Sequence, residues 1–311
     1  MTEITETNLF RFPSSDGLHT VTGYRFPVES PRAVVQISHG MIEHTGHYVE
    51  LISRLNAAGI VVYSNDHLGH GKTAEDGGEY GVFGKRGARE FVLRDLHAVT
   101  EKAKSDYPDL PLILLGHSMG SFFARVYASR WGNELDGLVI LGTGGPNPVL
   151  PVAKTLAALS SWLLGAKHKA KLIDKLAFGA YNSHYEKGVP SDAWISRDRE
   201  WLDRFKDDPA SHFKFSAGAF RELFSILGEC NAKKCAKAYP KDLPIFLASG
   251  DMDPVGNWGK GVPKVAKKIE DAGCEKLTFR HYSGFRHELH NEIGCDEFYR
   301  DLLAWTEGLI P

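Results

Sequence analysis

PLILLGHSMGSFFARVYASR, residues 111–130, decides how this 311-residue chain is read. Its first half is an unbroken apolar run, the composition of a strand buried on both faces, and its second half has the make-up of a helix. A strand that turns into a helix through one residue forces that residue into a strained backbone conformation. Side chains two positions to either side would strike the neighbouring elements. Gly116 and Gly120 remove both collisions, and His117 and Met119 complete the pentapeptide around Ser118. The corner raises the Ser118 hydroxyl above the sheet edge. It also leaves the Met119 amide N–H at a helix N-terminus, where free donors and the dipole favour an anion. An acyl-transfer nucleophile needs that geometry.

Working outward, five further runs have the same buried-strand composition: AVVQISHG (33–40), IVVYSND (60–66), DGLVILG (136–142), LPIFLASG (243–250) and KLTFRHY (276–282). Helical segments at 46–58, 88–106, 121–131, 261–273 and 295–307 fall between them, the rhythm of repeated strand-helix-strand crossovers. Two short runs at the start, NLFRFP (8–13) and HTVTGYRF (19–26), flank the turn signal SSDG and predict an antiparallel hairpin. The fold class is α/β: a mostly parallel, doubly wound sheet with an antiparallel N-terminal hairpin. From 146 to 238 no buried strand is visible, while apolar helical stretches such as LPVAKTLAALSSWLLG (150–165) are. The expected organisation is a core of 1–145 and 239–311 interrupted by an all-helical cap, 146–238.

In such sheets functional groups gather at the carboxyl ends of the strands. A serine nucleophile requires a general base, and the base requires a carboxylate that fixes its tautomer and offsets its developing charge. After 243–250 the chain offers Asp251 and Asp253, and after 276–282 it offers His287 and His290. Asp251 directly follows the strand end, where its side chain can cap the turn; Asp253 lies farther out and is favoured as the acid. His287 follows Gly284 on the loop and is favoured as the base. His290, within HELHNE, reads as a helix start facing solvent or the cap. The second donor to a tetrahedral oxyanion is expected from the loop after residues 33–38, at the Met41 amide beyond Gly40. His39 reads as a turn residue bonding its own loop.

Composition narrows the alternatives. Lys and Arg number 37 against 39 Asp and Glu, a formal charge of −2, so a nucleic-acid partner is not expected. The N-terminus MTEITETNLF carries acids where a secretory leader would be basic, and no long uncharged apolar run follows, which predicts a cytoplasmic protein. Cys230, Cys235, Cys274 and Cys295 match no disulfide framework or zinc ribbon and read as reduced packing residues. GHGKT (69–73) resembles a phosphate loop, but Asp66 stands where that motif needs glycine; HELHN would be a zinc helix only with histidine at Asn291. His44, His47, His67 and His70 read as turn or network residues. No cofactor and no metal are expected. The apolar helical stretch at 150–165 is a candidate for transient contact with a membrane surface, against which stands its single charge, Lys154, and the lack of a basic face.

HGMIEHTGHY (39–48), DHLGHGKT (66–73), GHSMGS (116–121), SGDMDPVGNWGKGV (249–262) and GFRHELHNE (284–292) together resemble the monoacylglycerol lipase and lysophospholipase group of the α/β-hydrolase superfamily, in the right order from about residue 30 onward. The resemblance implies a Ser118, Asp253, His287 triad, an oxyanion hole from the Met41 and Met119 amides, and a helical cap shaping an acyl pocket. It implies a serine esterase acting on monoacylglycerols, lysophospholipids or related small acyl esters through an acyl-enzyme. An aminopeptidase-like amide hydrolase on the same triad is the alternative, with Glu186, Asp192 or Asp198 of the cap available to hold a substrate ammonium. A ligand-binding protein without catalysis is a third reading.

Overall fold

The computed structural model describes residues 4–311, so the first three residues of the predicted core and of the acidic N-terminus lie outside it. Eight strands form one sheet: β1 (Leu9–Pro13), β2 (Thr20–Phe26), β3 (Ala33–Ser38), β4 (Ile60–Asn65), β5 (Leu112–His117), β6 (Gly137–Leu141), β7 (Ile245–Gly250) and β8 (Leu277–Tyr282). Their spatial order is β1-β2-β4-β3-β5-β6-β7-β8. β1 pairs with β2, and β2 with β4, antiparallel; every other pairing is parallel. The sheet is therefore the predicted one, and its hairpin joins through β2.

The helices of the core are α1 (Val49–Ala57), α2 (Gly71–Glu75), α3 (Arg89–Asp106) and α4 (Met119–Trp131). Between β6 and β7 come α5 (Leu150–Leu163), α6 (Lys171–Phe178), α7 (Arg199–Asp207), α8 (Ala217–Cys230) and α9 (Lys233–Lys237). The chain ends with α10 (Val262–Asp271) and α11 (Asp296–Glu307). Among the described residues the insertion holds no strand, only an isolated antiparallel bridge between Lys169 and Ser216.

Alternation along each strand feeds two cores. In β5, Leu112 and Leu114 face one apolar cluster with α3, α4, α8 and α10, while Ile113 and Leu115 face the other with α1 and α11. Each side chain so buried contributes roughly 1.5–3 kcal/mol relative to exposure. Both faces of the central strands being covered explains their unbroken apolar runs.

The buried Arg125 of α4 ties down both ends of the insertion. Its guanidinium donates to Thr143 Oγ1 and the Gly144 carbonyl after β6, and to the Cys230 carbonyl and Asn231 Oδ1 after α8, at 2.9–3.2 Å. Cys230, Cys235 and Cys274 are buried, and Cys295 is partly so; all four are free thiols. No helix among the described residues is long and apolar enough to cross a membrane.

Candidate active site

Ser118 joins β5 to α4 with φ 52° and ψ −120°, a positive φ that non-glycine residues rarely adopt. The crowding around it explains the two glycines. A Cβ on Gly116 would lie 2.5 Å from the Gly120 carbonyl oxygen, and one on Gly120 would lie 1.9 Å from that of Ser38. The start of α4 thus sits directly on the end of β3. From 111 to 128 only Ser118 is partly exposed. The corner delivers one hydroxyl to solvent from an otherwise sealed element.

The acid and base loops lock to each other before they meet the serine. A Cβ on Gly250 would lie 2.0 Å from the Phe285 carbonyl oxygen, and the Met252 amide donates to that same oxygen at 3.0 Å. Asp251 accepts the Gly284 amide at 2.7 Å. It is the turn-fixing residue of its pair. Asp253 is fully buried, and its Oδ1 lies 3.0 Å from His287 Nδ1 while accepting the Val255 amide at 2.8 Å. The approach of acid and base is close but off-axis: neither His287 Nδ1 nor Asp253 Oδ2 makes a hydrogen bond of good geometry. The base loop reaches the nucleophile corner through β6, because the Ser118 amide donates to Leu141 O at 3.0 Å and the next residue, Gly142, abuts His287.

Met41 and Met119 stand on the two segments that Gly120 holds together. Neither amide N–H has an intramolecular acceptor among the described residues. The Gly40 amide is already engaged, at 2.9 Å from Glu43 Oε2, and Ile42 takes a φ of 63°. That conformation is a strained one for a β-branched residue, and tertiary contacts hold it. His39 accepts the His67 amide on Nε2 and donates from Nδ1 to the Gly40 carbonyl, 3.0 and 2.8 Å. Asp66 braces the same loop: it accepts the Thr45 amide and hydroxyl on Oδ1, and the Tyr24 hydroxyl and Lys72 amide on Oδ2.

Beneath the corner lies a buried polar network. His117 Nδ1 donates to the Tyr48 hydroxyl at 2.9 Å, which in turn donates to Glu43. Burial opposes charge on His117, but the Glu43 carboxylate outweighs it and holds the imidazole pKa above its ordinary value. Burial likewise opposes the ionised Glu43, yet His117 keeps it well below the usual carboxylate range. Glu288 is pushed up by burial and by Glu43, and it accepts the Trp201 indole N–H at 2.6 Å. His290 corrects its expected placement: it is 2 % exposed and stacks on Tyr48 at 4.9 Å, because a short 3-10 turn, Leu289–Asn291, folds it inward.

The insertion grips the base loop. The His287 and Glu288 amides donate to the carbonyls of Trp194 and Ile195, 3.3 and 2.9 Å, and the Trp194 ring centroid lies 5.1 Å from that of His287. Tyr185 donates its hydroxyl to the Met252 carbonyl at 2.6 Å. A second clasp joins His44 and His47 to Asp208, with Nε2 to Oδ2 separations of 2.7 and 3.0 Å. Three such groups could suggest a metal. The Gly46 amide, however, donates to His44 Nδ1 and so fixes that ring's proton on Nε2, which gives a hydrogen bond to Asp208 and offers no lone pair.

Gly142, Glu43, Asp66 and Trp194 escaped sequence reasoning. Gly142 ends the strand beside the nucleophile strand, the one signal that marked it. A Cβ there would lie 3.1 Å from His287 Cε1, and its φ is 54°. Gly142→Ala is expected to lower kcat about 10- to 100-fold on a soluble nitrophenyl ester with KM little changed, since small displacements of a general base cost that much. Steady-state kinetics beside a thermal melt checks this; unchanged kcat would remove Gly142 from the site.

A raised hydroxyl, an imidazole backed by a buried carboxylate, and two unpaired amides can together perform acyl transfer. Comparison with known proteins agrees with the fold. The family described as serine aminopeptidase, S33, matches residues 29–294. The monoacylglycerol lipase of Mycolicibacterium smegmatis is 32% identical over 304 residues, covering 94% of this chain and 95% of the relative. Human monoglyceride lipase is 27% identical, covering 94% and 88%. A thermostable carboxyl esterase from Bacillus coagulans, solved with glycerol, superposes with a TM-score of 0.91 at 30% identity, covering 97% and 98%. The chain belongs to this serine aminopeptidase S33 family of α/β hydrolases, in its monoglyceride lipase-like group.

Proposed function

We propose that this chain is a serine carboxylic-ester hydrolase of monoacylglycerols, lysophospholipids or related acyl esters, with residues 146–238 as a cap over the site. The observation that carries the reading is Ser118 at its strained, partly open corner, one strand end away from the buried Asp253–His287 pair. Ser118 attacks the ester carbonyl as His287 takes its proton, and Asp253 offsets the charge of the imidazolium. The Met41 and Met119 amides receive the oxyanion, aided by the positive end of the α4 dipole. Collapse of the tetrahedral intermediate expels the alcohol, protonated by His287. Water then repeats the sequence on the acyl-enzyme.

Relatives named monoacylglycerol lipases, and an esterase solved with glycerol, supply the substrate class. The family description favours a second reading, amide hydrolysis. Of the three cap carboxylates that could hold a substrate ammonium, Asp192 is paired with Arg199 and Lys206, and Asp198 caps α7 by accepting the Trp201 amide. Only Glu186 stands apart, exposed. A monoacylglycerol chain-length series, run beside a lysophospholipid and aminoacyl anilides, is the test. Monoacylglycerols are expected to give the highest kcat/KM; anilides turned over faster would overturn the ester reading.

A further inference from the structure

Four consecutive carbonyls of the insertion accept hydrogen bonds from three consecutive residues of the base loop. The inner two take backbone amides: Trp194 O accepts from His287 at 3.3 Å and Ile195 O from Glu288 at 2.9 Å. The outer two take a single side-chain nitrogen, because Arg286 Nη1 donates to the Ala193 carbonyl at 2.5 Å and to that of Ser196 at 3.2 Å. Residues 181–198 form neither helix nor strand, yet Ala193, Ile195 and Ser196 are buried. A buried irregular segment must find donors for its carbonyls, and here the base loop supplies them.

The same cation is tied in on two further sides. The buried Glu292 accepts the Arg286 amide on Oε2 at 3.0 Å, and on Oε1 it accepts the amide and Nε of Arg197 at 3.0 and 3.1 Å. Ser196 Oγ donates to the Asn291 carbonyl at 2.8 Å. The Arg286 guanidinium carbon lies 4.5 Å from the centre of the Tyr185 ring, whose hydroxyl donates to the Met252 carbonyl, one residue before Asp253. Arg286 thus joins its own loop, the segment that grips that loop, and the tyrosine that reaches the acid loop.

His287 itself lies outside any helix or strand, so no regular element sets the direction of its ring. We propose that Arg286 is a positioning residue: by clamping the 193–196 carbonyls it fixes the path of the base loop, and so brings the imidazole of His287 to Ser118 and Asp253 together. The guanidinium makes no hydrogen bond to those three side chains among the described residues and acts through the backbone. The proposal rests on His287 being the general base and acid of the ester hydrolysis proposed above.

The test compares the parent with Arg286→Met and Arg286→Lys on a monoacylglycerol and on the nitrophenyl ester of the same acyl chain, at a temperature where thermal melts show the proteins folded. Arg286→Met keeps the aliphatic stem and removes both donors. It is expected to lower kcat about 10- to 100-fold with KM within a few fold of the parent. kcat/KM should fall further on the monoacylglycerol, whose alcohol His287 must protonate as it leaves, than on the nitrophenyl ester, whose phenolate leaves without a proton. A merely structural role would lower both alike. Arg286→Lys keeps the charge but ends one bond short of Nη1; it should fall between the other two, and it carries the test alone if the methionine variant does not fold. The rate of labelling by a fluorophosphonate probe should fall in the same order. Equal losses on the two esters, a raised KM with unchanged kcat, or a folded lysine variant that turns over and labels like the parent overturns the proposal. A parent that the probe never labels overturns it together with the ester-hydrolase reading; a labelled parent matched by Arg286→Met overturns it alone.

Discussion

Replacing Ser118 with alanine is expected to lower kcat on a monoacylglycerol or nitrophenyl ester by roughly 10⁵- to 10⁶-fold, with KM within a few fold of the parent. In the proposed mechanism the hydroxyl forms the covalent bond, so no ground-state contact can substitute for it. Nor can a neighbour: Ser121 is fully buried, and its hydroxyl is committed to the Ser118 carbonyl and Thr143 Oγ1. Ser38 is also fully buried, its hydroxyl 3.0 Å from His67 Nε2. The variant keeps its fold, because alanine meets the same positive φ that serine already tolerates. A fluorophosphonate probe should label the parent and leave the variant unlabelled. A folded parent that resists the probe would favour a binding protein without catalysis, and a variant retaining more than about one per cent of turnover would remove Ser118 as nucleophile.

What was legible in the sequence was whatever repeats or collides. Runs such as LILL and LVIL read as buried strands because both sheet faces are covered, and Gly116 and Gly120 mark the corner because any Cβ there strikes backbone. The expectation that Asp251 fixes the turn while Asp253 reaches farther out came from their distance to the strand end, and the Asp251–Gly284 bond gives that turn its physical cause. Illegible were the contacts between distant segments. Glu43, Tyr48, His117 and Glu288 have no common spacing, and only the folded chain makes one network of them. His290 reads as exposed because the run HELHN is polar, yet Tyr48, fixed 242 positions earlier in the chain, supplies a stacking partner that takes it inside. The Trp194 and Ile195 carbonyls that accept from the base loop lie in an insertion without periodicity. Backbone acceptors leave no trace in residue type.

That buried polarity has a cost in acid, and the second large effect expected is a steep loss of stability below about pH 6.5. Burial, reinforced by the neighbouring His39 ring, holds His67 and His70 well below the ordinary imidazole pKa; burial and His117 do the same to His290. His39 is lowered by burial to a smaller extent. These rings stay neutral in the fold and take up protons when unfolded, so the unfolded chain binds more protons and stability falls as pH drops through 6.5. His117 and His44, raised by Glu43 and by Asp208 against the opposing effect of burial, have the other sign: their contribution is complete below pH 6.5 and is lost as pH rises through their folded values. Glu288, raised by burial and Glu43, also keeps its proton in the fold and offsets part of the acid-side loss. Each imidazole that stays neutral in the fold while the unfolded chain protonates it contributes about 1.4 kcal/mol per pH unit, and His67, His70 and His290, held farthest down, set the sign. A domain stable by about 5–15 kcal/mol therefore loses most of its margin within two or three units. Urea titrations at pH 7, 6, 5.5 and 5 measure the slope directly. His290→Asn removes one proton from it, about 1.4 kcal/mol per unit, whatever the variant does to stability at neutral pH. Stability that stays level from pH 7 to 5 would mean that these imidazoles ionise in place, and that the site above them tolerates the charge.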